Sequence, residues 1–168
     1  MLTTRYATVA DMLARFSETE LIQLSDPEPG ATSVNAARVE IKLDDAQAVI
    51  DGWIGQVYVL PLAGCIKPAT VPGAEPERVV PPQLVRIACD LARFWLRDEV
   101  SDDSDVYRRY KAAMAELQAI AEGRSQLACP WGGSAGALVG ADAQQGAAEV
   151  MYGFSPRQVT DDSLRGFA

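Results

Sequence analysis

Residues 82–98, with the sequence PQLVRIACDLARFWLRD, form the segment on which the predicted fold depends. Its apolar residues fall into two adjacent stripes at helical spacing, Leu84, Ile87, Ala88, Leu91 and Trp95 in one, and Val85, Cys89, Ala92 and Leu96 in the other. Pro82 suits the first position of a helix, where no partner is needed for an amide hydrogen. A helix that is apolar around most of its circumference must be covered on several sides. We therefore predict that residues 82–98 form the central, most buried helix.

A long amphipathic helix is predicted before this central one. Apolar residues recur at alternating steps of four and three from Val39 to Val57, and acidic residues fall on another face. The helix is placed from Ser33 or Asn35 to about Tyr58. It offers one apolar stripe with which to cover the central helix.

Shorter helices are predicted at the start of the chain and a last long helix near its middle. Thr8 can cap a first helix, and Ser17 with Glu20 three residues later has the pattern of a capping box for a second. The last helix follows the acidic cluster at 98–105 and stops at about Gly123, since glycine is common just beyond a helix. These segments predict an all-α protein, a small bundle of four to five helices. The predicted core residues are Ile50, Trp53, Leu84, Ile87, Leu91, Trp95, Tyr110 and Leu117.

Two segments show no helical pattern. The stretch from Leu60 to Pro82 contains six prolines and two glycines, so we expect a long exposed loop, and long loops in compact domains are often functional. The whole stretch from Leu60 to Pro82 is a candidate contact loop. After residue 124 glycine and alanine dominate, which divides the chain into a helical body at 1–124 and an extended C-terminal tail at 125–168. Scattered apolar residues in the tail are candidate anchors on partner proteins: Trp131, Met151, Tyr152, Phe154 and Phe167.

Composition limits the possible functions. The 168 residues suffice for one domain, and 48% of them are hydrophobic, so a folded core is expected. Fifteen Lys and Arg residues against 23 Asp and Glu residues give a net charge of -8, which disfavours nucleic-acid binding. We expect a soluble, unexported protein that does not enter a membrane. The three cysteines, Cys65, Cys89 and Cys129, are widely spaced, and we expect all three to be free thiols.

Enzymatic activity is not expected. The sequence contains no histidine, which is the commonest general base and metal ligand. Residues 132–136 fit the G-x-S-x-G pattern of a nucleophile elbow, but Cys129-Pro130-Trp131 before them makes a poor strand and Ser134 lacks a histidine base. The acidic cluster at 98–105 lacks the glycine and glutamate positions of a calcium-binding loop, so we interpret it as helix capping. No cofactor and no metal are predicted.

Several segments of the chain resemble one family. These are residues 6–12, 15–16, 20–26, 50–53, 58–62, 84–93 and 107–123, and they include Ile50-Asp51-Gly52-Trp53 and Leu84-Val85-Arg86-Ile87-Ala88. In this order they are similar to the head-tail connector proteins of Mu-like tailed phages. The stretch at 63–80 is longer than the corresponding joint of that family, and the tail after Leu127 could not be aligned with it.

The resemblance implies a connector or adaptor subunit in the virion neck, at the head-tail junction. It implies a homo-oligomeric ring of about a dozen copies, placed between the portal protein and a tail or neck completion protein after assembly in the host cytoplasm. DNA would pass through the lumen without specific binding, which an acidic wall would favour. The alternatives are a helix-turn-helix regulator, for which Arg108, Arg109 and Lys111 form a small basic group, and a small non-catalytic binding module.

Overall fold

The structure is a computed structural model that describes residues 5–26, 28, 30–97 and 100–140. These contain five helices and two short strands: α1 (Val9–Arg15), α2 (Glu18–Ser25), α3 (Ala36–Ile54), β1 (Cys65–Lys67), β2 (Glu77–Val79), α4 (Pro82–Trp95) and α5 (Asp105–Ala121). The protein is therefore predominantly helical, as predicted, but the prediction of an all-α fold is corrected by the two strands.

Helix α4 lies at the centre of the bundle. It packs against α3, α5 and α1, and α3 and α5 also pack against each other. The predicted core residues Ile50, Leu84, Ile87, Leu91 and Leu117 have no exposed surface. Trp53, Trp95 and Tyr110 are half-buried and pack against this core. The two apolar stripes of α4 are covered because three helices pack against it.

Side chains at the helix starts explain where most helices begin. Asn35 caps α3 and Ser104 caps α5, each by accepting a hydrogen bond from a backbone amide of the first turn. Thr8 and Asp11 form a reciprocal capping box at α1. The capping box predicted at Ser17 and Glu20 is wrong, because Ser17 makes no side-chain cap bond and the Glu20 carboxylate is used elsewhere.

The stretch from Leu60 to Pro82 contains an antiparallel pair of strands. Cys65 pairs with Val79 and Lys67 with Glu77, so the segment is a β-hairpin rather than an irregular loop. Its strands are three residues long each, which is too short to display the alternation that identifies strands in sequences. Cys65 is also completely buried within the main core, so one core residue does come from a strand.

Residues 125–140 pack against the body instead of extending from it. Leu127, Cys129 and Ala135 are buried members of the main core. Leu138 forms a bridge with Tyr58, next to the end of α3. The packing therefore continues across the boundary predicted at residue 124, and within 125–140 an extended tail is not observed.

Candidate interaction surface

The β-hairpin projects from the bundle as an arm, which we define as residues 66–78. Every residue of the arm is exposed, whereas Cys65 before it is buried and Val79 after it is half-buried. Ile66 and Val71 are among the large apolar residues of the arm, with 52% and 64% of their surfaces exposed. An apolar segment that covers none of the core of its own subunit is typical of a contact site for another protein.

A disulfide bond holds the base of the arm. Cys65 and Cys129 are bonded, with their Cα atoms 5.4 Å apart, which corrects the expectation that all three cysteines are free thiols. The error arose because the two residues are 64 positions apart in the chain, and sequence spacing does not show which distant segments meet. Cys89 is free and buried, as expected for a small apolar core residue, and burial raises the pKa of its thiol to about 12.

Beside this disulfide, residues 127–139 pack against the segment that follows α3. Two backbone hydrogen bonds join Val59 to Ala137 and Val139 to Val57, at 2.9 and 2.8 Å. Gly136 lies so close to the body that a Cβ atom there would be 3.1 Å from the side chain of Leu62. Val59, Leu138 and Val139 are about half exposed, so this short ladder presents a second apolar surface beside the arm's base.

An ion-pair cluster fixes α2 on the central helix. Glu20 accepts hydrogen bonds from Arg93 at 2.7 Å and from Arg97 at 2.6 Å. Burial by itself would raise the pKa of Glu20, but the hydrogen bonds and charges of the two guanidinium groups outweigh burial and lower the pKa. Since Glu20 serves this tertiary contact, it is not available as a helix cap.

Asp90 is the one charged residue among the buried side chains of the described segments. Burial raises the pKa of its carboxyl, and Arg109 and Arg86 oppose that effect from 3.9 and 3.7 Å. Arg86 also pairs with Glu116 on α5. Arg109 in turn pairs with Asp105, so these residues form a structural ion-pair network that links α4 to α5.

The serine of the G-x-S-x-G pattern is part of a turn. The Ser134 hydroxyl donates a hydrogen bond to the Gly136 carbonyl at 2.6 Å and accepts one from the Gly136 amide. Gly132 and Gly133, which precede it, have positive φ angles of 90° and 84°, so they form a turn rather than a strand. Among the described residues, the Ser134 hydroxyl is hydrogen-bonded to Gly136 alone, and a turn stands where a nucleophile elbow requires a strand.

A groove of about 630 Å³ lies at the carboxyl end of α4, where α4 meets α3. Its apolar lining comes from Ala48, Val49, Phe94, Trp95 and Val100, and its charged lining from Lys42, Asp45 and Arg97. The Phe94 ring stacks on Tyr110 with a centroid distance of 4.0 Å. The groove therefore has both an aromatic and a charged lining.

The predicted tail anchors are mostly beyond the described residues. Trp131 lies at a turn and has 42% of its surface exposed. Met151, Tyr152, Phe154 and Phe167 lie outside the described segments. The arm lies within the stretch from Leu60 to Pro82 that was predicted to be a contact loop, whereas the Val59–Leu138 ladder and the groove were not predicted as sites from the sequence.

Two of the three basic residues on which the helix-turn-helix alternative depends make contacts within the subunit. Arg109 pairs with Asp105 at 2.9 Å, and the ammonium of Lys111 lies over the ring of Tyr107. This leaves α5 without the continuous basic face that a recognition helix presents to phosphates.

Across the described ranges, no cluster of potential metal ligands occurs. None of the helices in those ranges is long and apolar enough to cross a membrane.

Comparison with known proteins shows the family to which this chain belongs. Residues 6–138 match the protein family described as Bacteriophage Mu, Gp36. The chain belongs to this Mu Gp36 family. Gene product J of Escherichia phage Mu is 31% identical over 120 residues, which cover 71% of the chain and 74% of the relative. The Mu-like prophage FluMu protein gp36 of Haemophilus influenzae is 29% identical over 122 residues, or 73% of the chain and 74% of the relative.

Membership in the Mu Gp36 family confirms the resemblance to a Mu-like phage family that was drawn from the sequence. The matched range extends from the first cap, near Thr8, to the ladder at Leu138. It therefore includes both the arm and residues 125–138, which the structure packs onto the body. In this chain the matched range thus covers the helical bundle, the arm and the ladder as far as Leu138.

Proposed function

We propose that this Gp36-family chain is a virion protein that serves as a head-tail connector subunit, forming a ring between portal and tail in the phage neck. Its partners would be other copies of itself, the portal protein and a tail or neck completion protein. The observation that carries the proposal is the arm, because residues 66–78 are all exposed and include Ile66 and Val71. Because the chain belongs to a phage protein family, we expect this exposed surface to take part in the assembly of the phage particle.

The proposed mechanism is assembly without chemistry. The ion pairs of Glu20 and Asp90 hold helices together, and the Ser134 hydroxyl is engaged in its own turn. These arrangements support a protein that is not an enzyme. The net charge of -8 would suit a ring through which DNA passes, because like charge keeps phosphates from binding to the wall.

Deletion of the gene from the phage or prophage that encodes the chain would test this function. We expect lysates in which DNA-filled heads and complete tails accumulate separately, with joining restored when the wild-type protein is supplied in trans. Antibody labelling of restored particles should mark the neck. Normal yields of infectious particles without the protein, or its absence from purified particles by mass spectrometry, would refute the proposal.

A Ser134→Ala variant tests the non-enzymatic part of the same proposal. We expect this variant to restore head-tail joining as well as the wild-type protein does, because the hydroxyl only stabilises a turn. A variant that is folded by circular dichroism but fails to support joining would show that the hydroxyl has a chemical role.

A further inference from the structure

We propose that Cys129 is a site of thiol–disulfide exchange, where a low-molecular-weight thiol or disulfide opens and closes the Cys65–Cys129 bond. The bond joins β1, where the arm begins, to residues 127–139. Its opening therefore removes the covalent link at the base of the arm. The exchange is independent of the connector role, because it requires neither a second copy of the chain nor a partner protein.

A cavity of about 380 Å³ lies beside the disulfide. Its lining residues Gln126, Gly133 and Ser134 are exposed, so the cavity is open to solvent, whereas its lining residues Tyr58 and Cys129 are buried. Small-molecule sites in proteins commonly have volumes of about 300–1,000 Å³, so a thiol of the size of glutathione fits and a folded protein does not. The lining residues that the structure describes are uncharged, so we expect the size of a thiol to matter more than its charge.

The two sulfur-bearing residues differ in their access to this cavity. Cys129 lines it and has 8% of its surface exposed, whereas Cys65 has no exposed surface and lies in the main core. On its strand Cys65 is further covered by pairing with Val79. Exchange requires the attacking sulfur to reach the sulfur that it attacks. The Cys129 sulfur is therefore the one attacked, and Cys65 is the leaving group.

Opening takes place in two steps that conserve atoms and electrons. A small thiol loses its proton, its sulfur bonds to Sγ of Cys129, the Cys65–Cys129 bond breaks, and the Cys65 thiolate takes up a proton. A second small thiolate then attacks the sulfur of the first, which releases a small disulfide and leaves a protonated Cys129 thiol. The protein disulfide gains the two electrons and two protons that the two small thiols lose. Closure is the reverse reaction, in which a small disulfide is the oxidant.

Hydrogen bonds around the disulfide make the opening reversible. The amide of Gly64, next to Cys65, donates to the Ala135 carbonyl at 2.9 Å, and the amide of Leu127 donates to the Tyr58 hydroxyl at 3.0 Å. These bonds involve no sulfur atom, so we expect them to persist in the reduced subunit and to keep the two thiols side by side. Groups held in this way react at a high effective concentration. The bond therefore closes again without refolding of the chain.

Two serine variants of the full-length protein test which sulfur is accessible. Cys65→Ser keeps the Cys129 thiol and Cys129→Ser keeps the Cys65 thiol, while Cys89 is buried in both. The probe is glutathione disulfide, and mass spectrometry of intact protein and of peptides locates the attached glutathione. Cys65→Ser should be modified at Cys129 on the order of ten-fold or more faster than Cys129→Ser is modified at Cys65, because access limits the rate.

The two serine variants lack the same disulfide, so each is the control for the stability of the other. In guanidinium chloride their rates should become equal, which would show that the native difference comes from the fold. Equal rates under native conditions, or faster modification of Cys65, would overturn the exchange at Cys129.

A second measurement keeps the disulfide in place. Leu138→Trp enlarges a side chain that lines the cavity, whereas Val139→Trp enlarges an exposed neighbour that does not line it. With glutathione as the reductant, alkylation of the freed thiols at successive times gives the rate of opening. We expect Leu138→Trp to slow opening several-fold and Val139→Trp to leave the rate unchanged. Equal rates in the wild type and both variants would overturn entry through the cavity, and the connector role would still be decided by the gene deletion.

Discussion

The backbone amide of Leu127 donates a hydrogen bond to the hydroxyl of Tyr58, at 3.0 Å and in a buried position, although the two residues are 69 positions apart. Tyr58 follows the end of α3, and Leu127 belongs to the segment that was predicted to be a free tail. The bond shows that residues 127–139 are part of the subunit's own fold. A buried amide that loses its acceptor is costly, so this contact can be tested directly.

Replacing Tyr58 by phenylalanine should lower the free energy of unfolding by about 1–3 kcal/mol, because the Leu127 amide would be left buried without a partner. Chemical denaturation followed by circular dichroism measures this difference. Tyr107→Phe is the matched control, since Tyr107 is only half-buried and its ring lies at the surface under Lys111. Equal stability of the Tyr58 variant and the wild type would contradict the proposed role of the bond.

Reduction of the Cys65–Cys129 disulfide should destabilise the subunit. The bond closes a loop across 64 positions of the chain, and the loss of chain entropy that it imposes on the unfolded state corresponds to about 4 kcal/mol. Thermal melting with and without a reducing agent should therefore differ by roughly 10 °C or more. A protein with both cysteines replaced by serine should melt at the reduced temperature and show no response to the reducing agent. A response in that variant would mean that the reagent acts elsewhere.

The ion pairs of Glu20 predict a pH dependence of stability. Its folded pKa lies below the ordinary value of 4.5, so the stabilisation is fully present above the unfolded pKa and is lost as pH falls through the folded pKa. At neutral pH Glu20→Gln should cost roughly 1.5–3 kcal/mol, because the hydrogen bonds from Arg93 and Arg97 lose their charged acceptor. Denaturation across pH should show this difference shrinking in acid. Glu18→Gln, on the exposed side of the same helix, should show a small difference at every pH.

Truncation tests where the folded unit ends. A chain that stops after Gly123 loses the buried residues Leu127, Cys129 and Ala135 and should melt roughly 10 °C or more below the full-length protein. A chain that stops after Gly140 keeps every contact described here and is the matched control. Equal melting temperatures for the two truncated chains would show that residues 125–140 add little to the fold.

Much of the helical body was predictable from the sequence because its signals are local. The apolar stripes of α3, α4 and α5 repeat at helical spacing over several turns, and a helix is defined by residues three and four positions apart. Pro82, Asn35, Ser104 and Gly123 mark helix ends through effects that depend on their own backbone and side chains. The membership of the chain in a Mu-like phage family likewise followed from ordered sequence segments.

Only the tertiary structure decided which distant segments meet. The pairing of Cys65 with Cys129, the bond from Leu127 to Tyr58 and the use of Glu20 by Arg93 each join residues more than 60 positions apart. Such contacts cannot be predicted from composition or residue spacing, because the free energy of each contact depends on how the helices bring the two residues together. The same reason explains why the ladder and the groove could be identified only in the folded structure, whereas the helices and the proline-rich stretch that contains the arm could be located in the sequence.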